Sequence, residues 1–251
     1  MKKILFAILI IAMAFNMTSC NKDELPPKNE GALHPKTSSE LDNWKTIIEN
    51  NELKIGVTTS GLSFCSELID EFEKELNIPV KKIVVDNEFS DELNDAVIDM
   101  YWGLYPKEAS DSFDYTLSSP YLTSTAVLLT VAGTENISSV GVLKNSAEEK
   151  LANGKYEHIK TYKNLNELWT ALGYRKTDAI LMNNCDWEKS DYVNSKSYEI
   201  KDTTMYNLVV AIKDGYTDIA HEVDRALAKI KASGIASEIS EKWYGKDLIS
   251  K

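Results

Sequence analysis

From residue 40 onward, stretches with apolar side chains at helical spacing alternate with short, densely apolar runs. In "ELDNWKTIIENN" (40–51), Leu41, Trp44, Ile47 and Ile48 fall on one helical face, and Ser39 stands where an N-cap is wanted. "LKIGV" (53–57) predicts a strand. Cys65, Leu68, Ile69, Phe72 and Leu76 then recur at helical spacing until Asn77 and Pro79 stop them. "KKIVV" (81–85) predicts a strand, "SDELNDAV" a helix, and "IDMYW" a strand feeding a loop that runs to Tyr121. "TAVLLTV" (125–131) is a strand-like run, after which a second set begins. Its members are "SVGVL", "HIKTY" and "DAILM" as strands, with "SAEEKLAN" and "LNELWTAL" as helices between them. "YNLVVAI" (206–212) closes the set. The last 35 residues read as helical, with Ile219, Val223, Leu227 and Ile230 in one stripe.

Strands alternating with helices predict parallel sheets covered on both faces, an α/β class. Two such sets joined by extended runs near 125–131 and 206–212 predict two lobes with a double-crossing hinge. Lobe one is expected over 40–125 with 212–251, and lobe two over 126–211. In that arrangement a ligand sits where the carboxyl ends of the strands face one another.

The amino end predicts export. Lys2 and Lys3 precede an apolar run from Ile4 to Phe15 that is short for a membrane span, and Met17-Thr18-Ser19 leads into Cys20. Residues 1–19 are expected to be a signal peptide. Cys20 resembles the lipidated cysteine of a bacterial lipobox, which would anchor the chain to a membrane on the extracytoplasmic side. Residues 20–39, rich in Pro, Asn, Lys and Glu, read as a flexible linker.

The formal net charge is −11, and loss of Lys2 and Lys3 with the signal would make it −13. That balance argues against nucleic acid or anionic lipid headgroups as partners, because both require a basic face. Cys65 and Cys185 can pair or remain buried thiols. His34, His158 and His221 lack ligand spacing, so neither a metal nor another cofactor is expected.

Several fragments, in order, resemble the bacterial extracellular solute-binding proteins of family 3, the receptors of polar amino-acid-type ABC transporters. "LKIGV" is similar to the family's opening strand, "AVID" ending at Asp99 to the close of its third, and "LSSPY" (117–121) to its "FSdPY". "VGVLKNSAEEKLAN", "DAILMN" and the terminal "ALAKIKASGIASEISEKWYGKD" follow in the family's order. The resemblance implies a type II periplasmic-binding-protein-like clamshell. It also implies a monomer that captures a small molecule and hands it to an ABC permease, without catalysis.

The resemblance also implies a grip that this chain lacks. Relatives that bind amino acids hold the α-carboxylate with an arginine placed shortly before the "PY" tyrosine. Here that position is Asp111, and the whole chain holds two arginines, Arg175 and Arg225. The aspartate that takes the α-ammonium aligns with Asn183. Lysine offers a point charge where guanidinium offers a fork, so the zwitterion clamp is altered at both ends. Either Lys144 or Lys107 meets an anion less selectively, or the ligand is not a free α-amino acid; the second is the preferred reading. Candidate ligand contacts from the strand ends are Thr58, Thr59, Phe64, Tyr101, Trp102, Asp111, Ser118, Lys144, Ser146, Asn183 and Trp187. For Ser146 a capping box with Glu149 is an equally plain role. A sensing module without transport, or a dehydratase-like enzyme on the same fold, are the alternatives.

Overall fold

The computed structural model describes residues 42–59, 64–86, 89–109, 115–153 and 155–251. The stretches expected to be a signal peptide and a linker, with Cys20 and Ser39, lie outside them. Two five-stranded sheets carry the fold, and both belong to one compact unit ending at Lys251. Strands β1 (Leu53–Val57), β2 (Val80–Val84) and β3 (Met100–Tyr101) run parallel. They are joined by β10 (Ala211–Lys213) and β4 (Tyr115–Leu117) in the order β2-β1-β3-β10-β4. The second sheet holds β5 (Leu122–Val131), β6 (Ser139–Leu143), β7 (His158–Tyr162), β8 (Ala179–Asn183) and β9 (Tyr198–Leu208), in the order β7-β6-β8-β5-β9.

Both sheets are mixed, where the alternation predicts parallel ones. β10 runs antiparallel to β3 and β4, and β5 runs antiparallel to β8 and β9. The reason is topological. A chain that leaves one sheet, builds the other and returns must re-enter against the direction in which it left.

The first crossing of the hinge differs from its expected place. Residues 125–131 are the last seven of β5, a full member of the second sheet, whereas the run 206–212 holds the end of β9, the second crossing and the start of β10. The crossings proper are 118–121 and 209–210, which lie side by side. Ser118 N donates to Val210 O at 3.0 Å, and Tyr121 N donates to Leu208 O at 2.9 Å. Ser118 Oγ accepts from Val210 N at 2.9 Å. The chain's end braces the same place, with Thr123 N donating to Leu248 O at 2.8 Å.

Helices cover the sheets where apolar stripes predict them. In the first lobe α1 (Asn43–Asn50) and α2 (Phe64–Leu76) pack with α7 (Thr217–Ala232) and α8 (Ile235–Tyr244). Asp42, not Ser39, caps α1 by accepting from Lys45 N at 2.9 Å. The terminal helical run breaks at Gly234, whose φ of 85° is strained for residues with a Cβ. Leu53, Ile55 and Val57 of β1 are wholly buried, each contributing about 1.5–3 kcal/mol by leaving water. Gly56 of β1 lets Ile98 pack closely, since a Cβ there would stand 2.7 Å from Ile98 Cδ1 and that side chain would have to shift. The second lobe adds α4 (Ala147–Asn153), α5 (Leu165–Gly173) and the short α6 (Asn184–Glu188), while α3 (Ser90–Asn94) belongs to the first. β4, α6 and the first half of β9 carry no clear hydrophobic period, and the sequence alone misses them. Among the described residues no helix is long and apolar enough to cross a membrane.

Asp178 fastens the start of β8 to the start of β6. Its Oδ2 accepts from Ser138 N, Ser138 Oγ, Ser139 N and Ser139 Oγ at 2.7–3.0 Å. Those bonds, led by the Ser138 hydroxyl, hold its carboxyl down to about 2. A depressed carboxylate stabilises the fold above its ordinary value, 3.8, and loses that contribution as pH falls towards 2. Asp178→Ala is therefore expected to lower the melting midpoint by several degrees at neutral pH, with the difference shrinking through that acid window in a pH series of thermal melts.

Candidate ligand-binding site

A cavity of about 230 Å³ lies between the two lobes. The first lobe contributes Phe64 at the start of α2, Leu104 after β3, and Trp243 and Tyr244 at the end of α8. The second contributes Ser146 and Glu148 from the start of α4, Asn183 and Asp186 from the end of β8 and α6, and Tyr206 from β9. Leu122 and Leu208, flanking the crossings, form its hinge side. Three larger grooves, of about 600, 770 and 620 Å³, each lie wholly on one lobe, so none of them can register hinge motion.

A polar chain lines the second lobe's wall. Ser124 from β5 accepts from Asn183 Nδ2 at 3.0 Å, and the same amide donates to Tyr206 Oη at 2.8 Å. Tyr206 Oη in turn donates to Glu148 Oε1 at 2.8 Å. Asn183 Oδ1 accepts from Cys185 N at 2.8 Å and so caps α6. Both ends of the Asn183 amide are thus committed to positioning neighbours. Glu148 is 5% exposed. Burial pushes its carboxyl above the ordinary range, against the pull of the Tyr206 hydroxyl. Burial raises Asp186 as well, opposed by the nearby charge of Lys189. The phenols of Tyr206 and Tyr244 are pushed well up by burial, so both stay neutral, and Tyr206 serves as a donor.

The lobes meet across this cavity. Lys246 pairs with Glu188 at 2.7 Å, and Lys189 Nζ donates to Trp243 O at 3.0 Å. On another side Asn145 Nδ2 donates to Asp86 Oδ1 at 2.9 Å, with Lys144 Nζ 3.8 Å from Asp86 Oδ2.

Of the residues singled out in the sequence, Phe64, Ser146 and Asn183 reach the cavity. Ser146 also caps, its Oγ accepting from Glu149 N at 3.2 Å, while Glu149 Oε2 reaches back to Asn145 N at 2.6 Å. Thr58 is buried under Tyr101 and hydrogen-bonded to its hydroxyl, and Thr59 is exposed beyond it. Tyr101 and Trp102 are packed in the core instead of offering faces to the cleft. Tyr101 stacks on Phe89 at 3.7 Å and 6°, and Trp102 meets Phe72 edge-on at 4.9 Å. Rings at the end of a short strand bury more area against one another than against solvent. Ser118 is spent on the hinge, and Lys144 is exposed at the cleft's edge. Trp187 packs against Trp169, 6.0 Å away, inside the second lobe. Asp111 lies outside the described residues. Neither arginine lines the cavity: Arg225 pairs with Glu222 on α7, and Arg175 follows α5 on the surface.

Glu148, Asp186, Tyr206, Trp243 and Tyr244 are the residues that sequence reading misses. Glu148 looks like an ordinary solvated acid in a first helical turn. Asp186 was within reach of the strand-end rule, lying three residues after β8. Cys65 and Cys185 are both free and buried. Burial pushes the Cys65 thiol up to about 12 despite Tyr121, whose hydroxyl is 3.8 Å from Sγ, so this thiol is unreactive.

The model of the bacterial extracellular solute-binding proteins, family 3, matches residues 60–246. The chain belongs to that family. This solute-binding protein is 22% identical over 276 residues to the L-cystine-binding protein TcyA of Bacillus subtilis, covering 99% of each chain. It shares its fold with an ABC uptake transporter substrate-binding protein from Streptococcus pneumoniae with bound histidine. That structure has a TM-score of 0.65 and 19% identity, over 84% of this chain and 99% of the other. The ancestral amino-acid-binding protein AncCDT-1, a precursor of cyclohexadienyl dehydratase, superposes with a TM-score of 0.64 and 18% identity, over 80% and 99%. The two-lobed type II architecture is common to them.

Glu148→Gln tests the buried carboxylate, since glutamine keeps an acceptor for Tyr206. A raised folded value means that ionisation burdens the fold once pH exceeds the ordinary 4.5. The variant is expected to melt higher than the parent at neutral pH, by about 2–4 °C for each kcal/mol relieved. The gap should close below the ordinary value in calorimetric melts.

Proposed function

We propose that this protein is an extracytoplasmic receptor that captures a small polar molecule by closing its lobes and delivers it to an ABC importer. The observation that carries this reading is the cavity itself. Its walls come from both lobes, and the contacts that fasten the lobes together lie around it. A ligand touching both walls stabilises the closed arrangement over the open one, which is how binding energy becomes a signal for a permease. Export, lipidation at Cys20 and a monomeric state belong to the same proposal.

Of the relatives named above, one is an L-cystine-binding protein, one holds histidine and one is an ancestral amino-acid-binding protein, but the grip differs here. No arginine stands at the cavity, and Asn183 holds Tyr206 and α6 instead of presenting a charge. The ligand is accordingly read as something other than a free α-amino acid.

Closure is testable in solution. Small-angle scattering on the protein should show compaction when a ligand from a thermal-shift screen of amino acids, amines, sugars, nucleosides and organic anions is added. A screen in which every hit leaves the scattering curve unchanged would oppose the clamshell reading. Lys246→Ala should weaken binding by no more than about fivefold, because an exposed ion pair contributes about 1 kcal/mol or less. Cys20→Ala should move the protein from membrane to soluble fractions of the producing cell; unchanged membrane recovery would remove the anchor from the proposal.

A further inference from the structure

The cavity between the lobes has a sign. Among the described residues that line it, the titratable side chains are Glu148, Asp186, Tyr206 and Tyr244, with no lysine, arginine or histidine beside them. Four lysines near the cleft are engaged at its rim: Lys246 with Glu188, Lys189 with the Trp243 carbonyl, Lys144 with Asp86, and Lys150 over the Phe89 ring. Lys189 is the one whose charge reaches Asp186. On the first lobe the wall is aromatic, with the Phe64 and Tyr244 rings 5.2 Å apart and Trp243 next to them.

Each of these facts selects against an anion. A buried carboxylate is costly unless a cation faces it, and the hydrogen bonds that Glu148 receives come from neutral donors, the Tyr206 hydroxyl, its own backbone N–H and the Ser146 side chain. Ring faces carry partial negative charge and attract cations. A ligand carboxylate would bring a further anion into this surrounding without a guanidinium to meet it. The volume, close to eight water molecules at about 30 Å³ each, suits a short stem.

We propose that this cleft takes a small organic cation without a carboxylate, an amine or amidine on a short apolar or aromatic stem. Its charge lies towards Glu148 and Asp186, and its stem lies against Phe64 and Tyr244. The assignment rests on the receptor reading above and narrows it to one class of solute.

Titration calorimetry on the full-length protein with matched pairs separates the two levels. The pairs are tyramine and tyrosine, histamine and histidine, agmatine and arginine, putrescine and ornithine. In at least one pair the amine should bind at least tenfold more tightly than its amino acid. Glu148→Gln should weaken that amine at least tenfold without lowering the melting temperature, and Asp186→Asn should weaken it as well. Equal or tighter binding of the amino acids, failure of every amine, or an amine affinity indifferent to Glu148→Gln each overturns the cation assignment. If neutral or anionic solutes bind with compaction in those cases, the receptor reading stands alone. If nothing in any class binds or compacts the protein, both fall.

Discussion

The pairing of two short chain crossings holds the arrangement together. Residues 118–121 and 209–210 exchange hydrogen bonds side by side, so the lobes are joined by a narrow two-stranded ribbon. A ribbon of this kind bends by small rotations while keeping its ladder. Ser118 serves it twice over, accepting from Val210 N and donating to Ser119 O. The C-terminal residues add a third element through Leu248 and Ser250, tying the last helix to the pivot. That tie matters for function because the same helix ends in Trp243 and Tyr244, which face the cavity.

From that pivot the site follows by geometry. β8 and β9 end near the hinge, so Asn183 and Tyr206 arrive at the same depth, and α4 brings Glu148 onto the Tyr206 hydroxyl. The chain Ser124–Asn183–Tyr206–Glu148 fixes the carboxylate on the second lobe, and burial raises it. The opposite wall is built differently, from rings on α2 and α8 that belong to one packed cluster with Tyr121. One lobe thus offers charge and the other offers surface, a division that suits a ligand with a charged head and an apolar body.

Much of the fold was legible in the residues. β1, β6 and β7 fall where their apolar runs begin and end, and the helical stripes of α2, α5 and α7 match because each buries one face against a sheet or helix. The mixed sheets were not legible, since an apolar run does not record which way its neighbour points. Of the site, Phe64, Ser146 and Asn183 were found from strand and helix ends. Tyr101 and Trp102 stand among the sequence's candidate contacts yet lie in the core, because aromatic content near a strand end says nothing about whether the rings find one another; the stacking of Tyr101 on Phe89 is a contact between separate segments.

By itself the sequence determined a two-part α/β chain of the solute-binding kind, and it showed that arginine is missing where relatives carry it. Local periodicity, turn chemistry and motif order are enough for that, because each depends on neighbours along the chain. Only the tertiary structure decided that Glu148 is buried, that the Asn183 amide is used up within its own lobe, and that an acidic wall faces an aromatic one. Burial and charge environment depend on residues brought together from far apart, and a carboxylate's solvation cannot be read from the letters beside it.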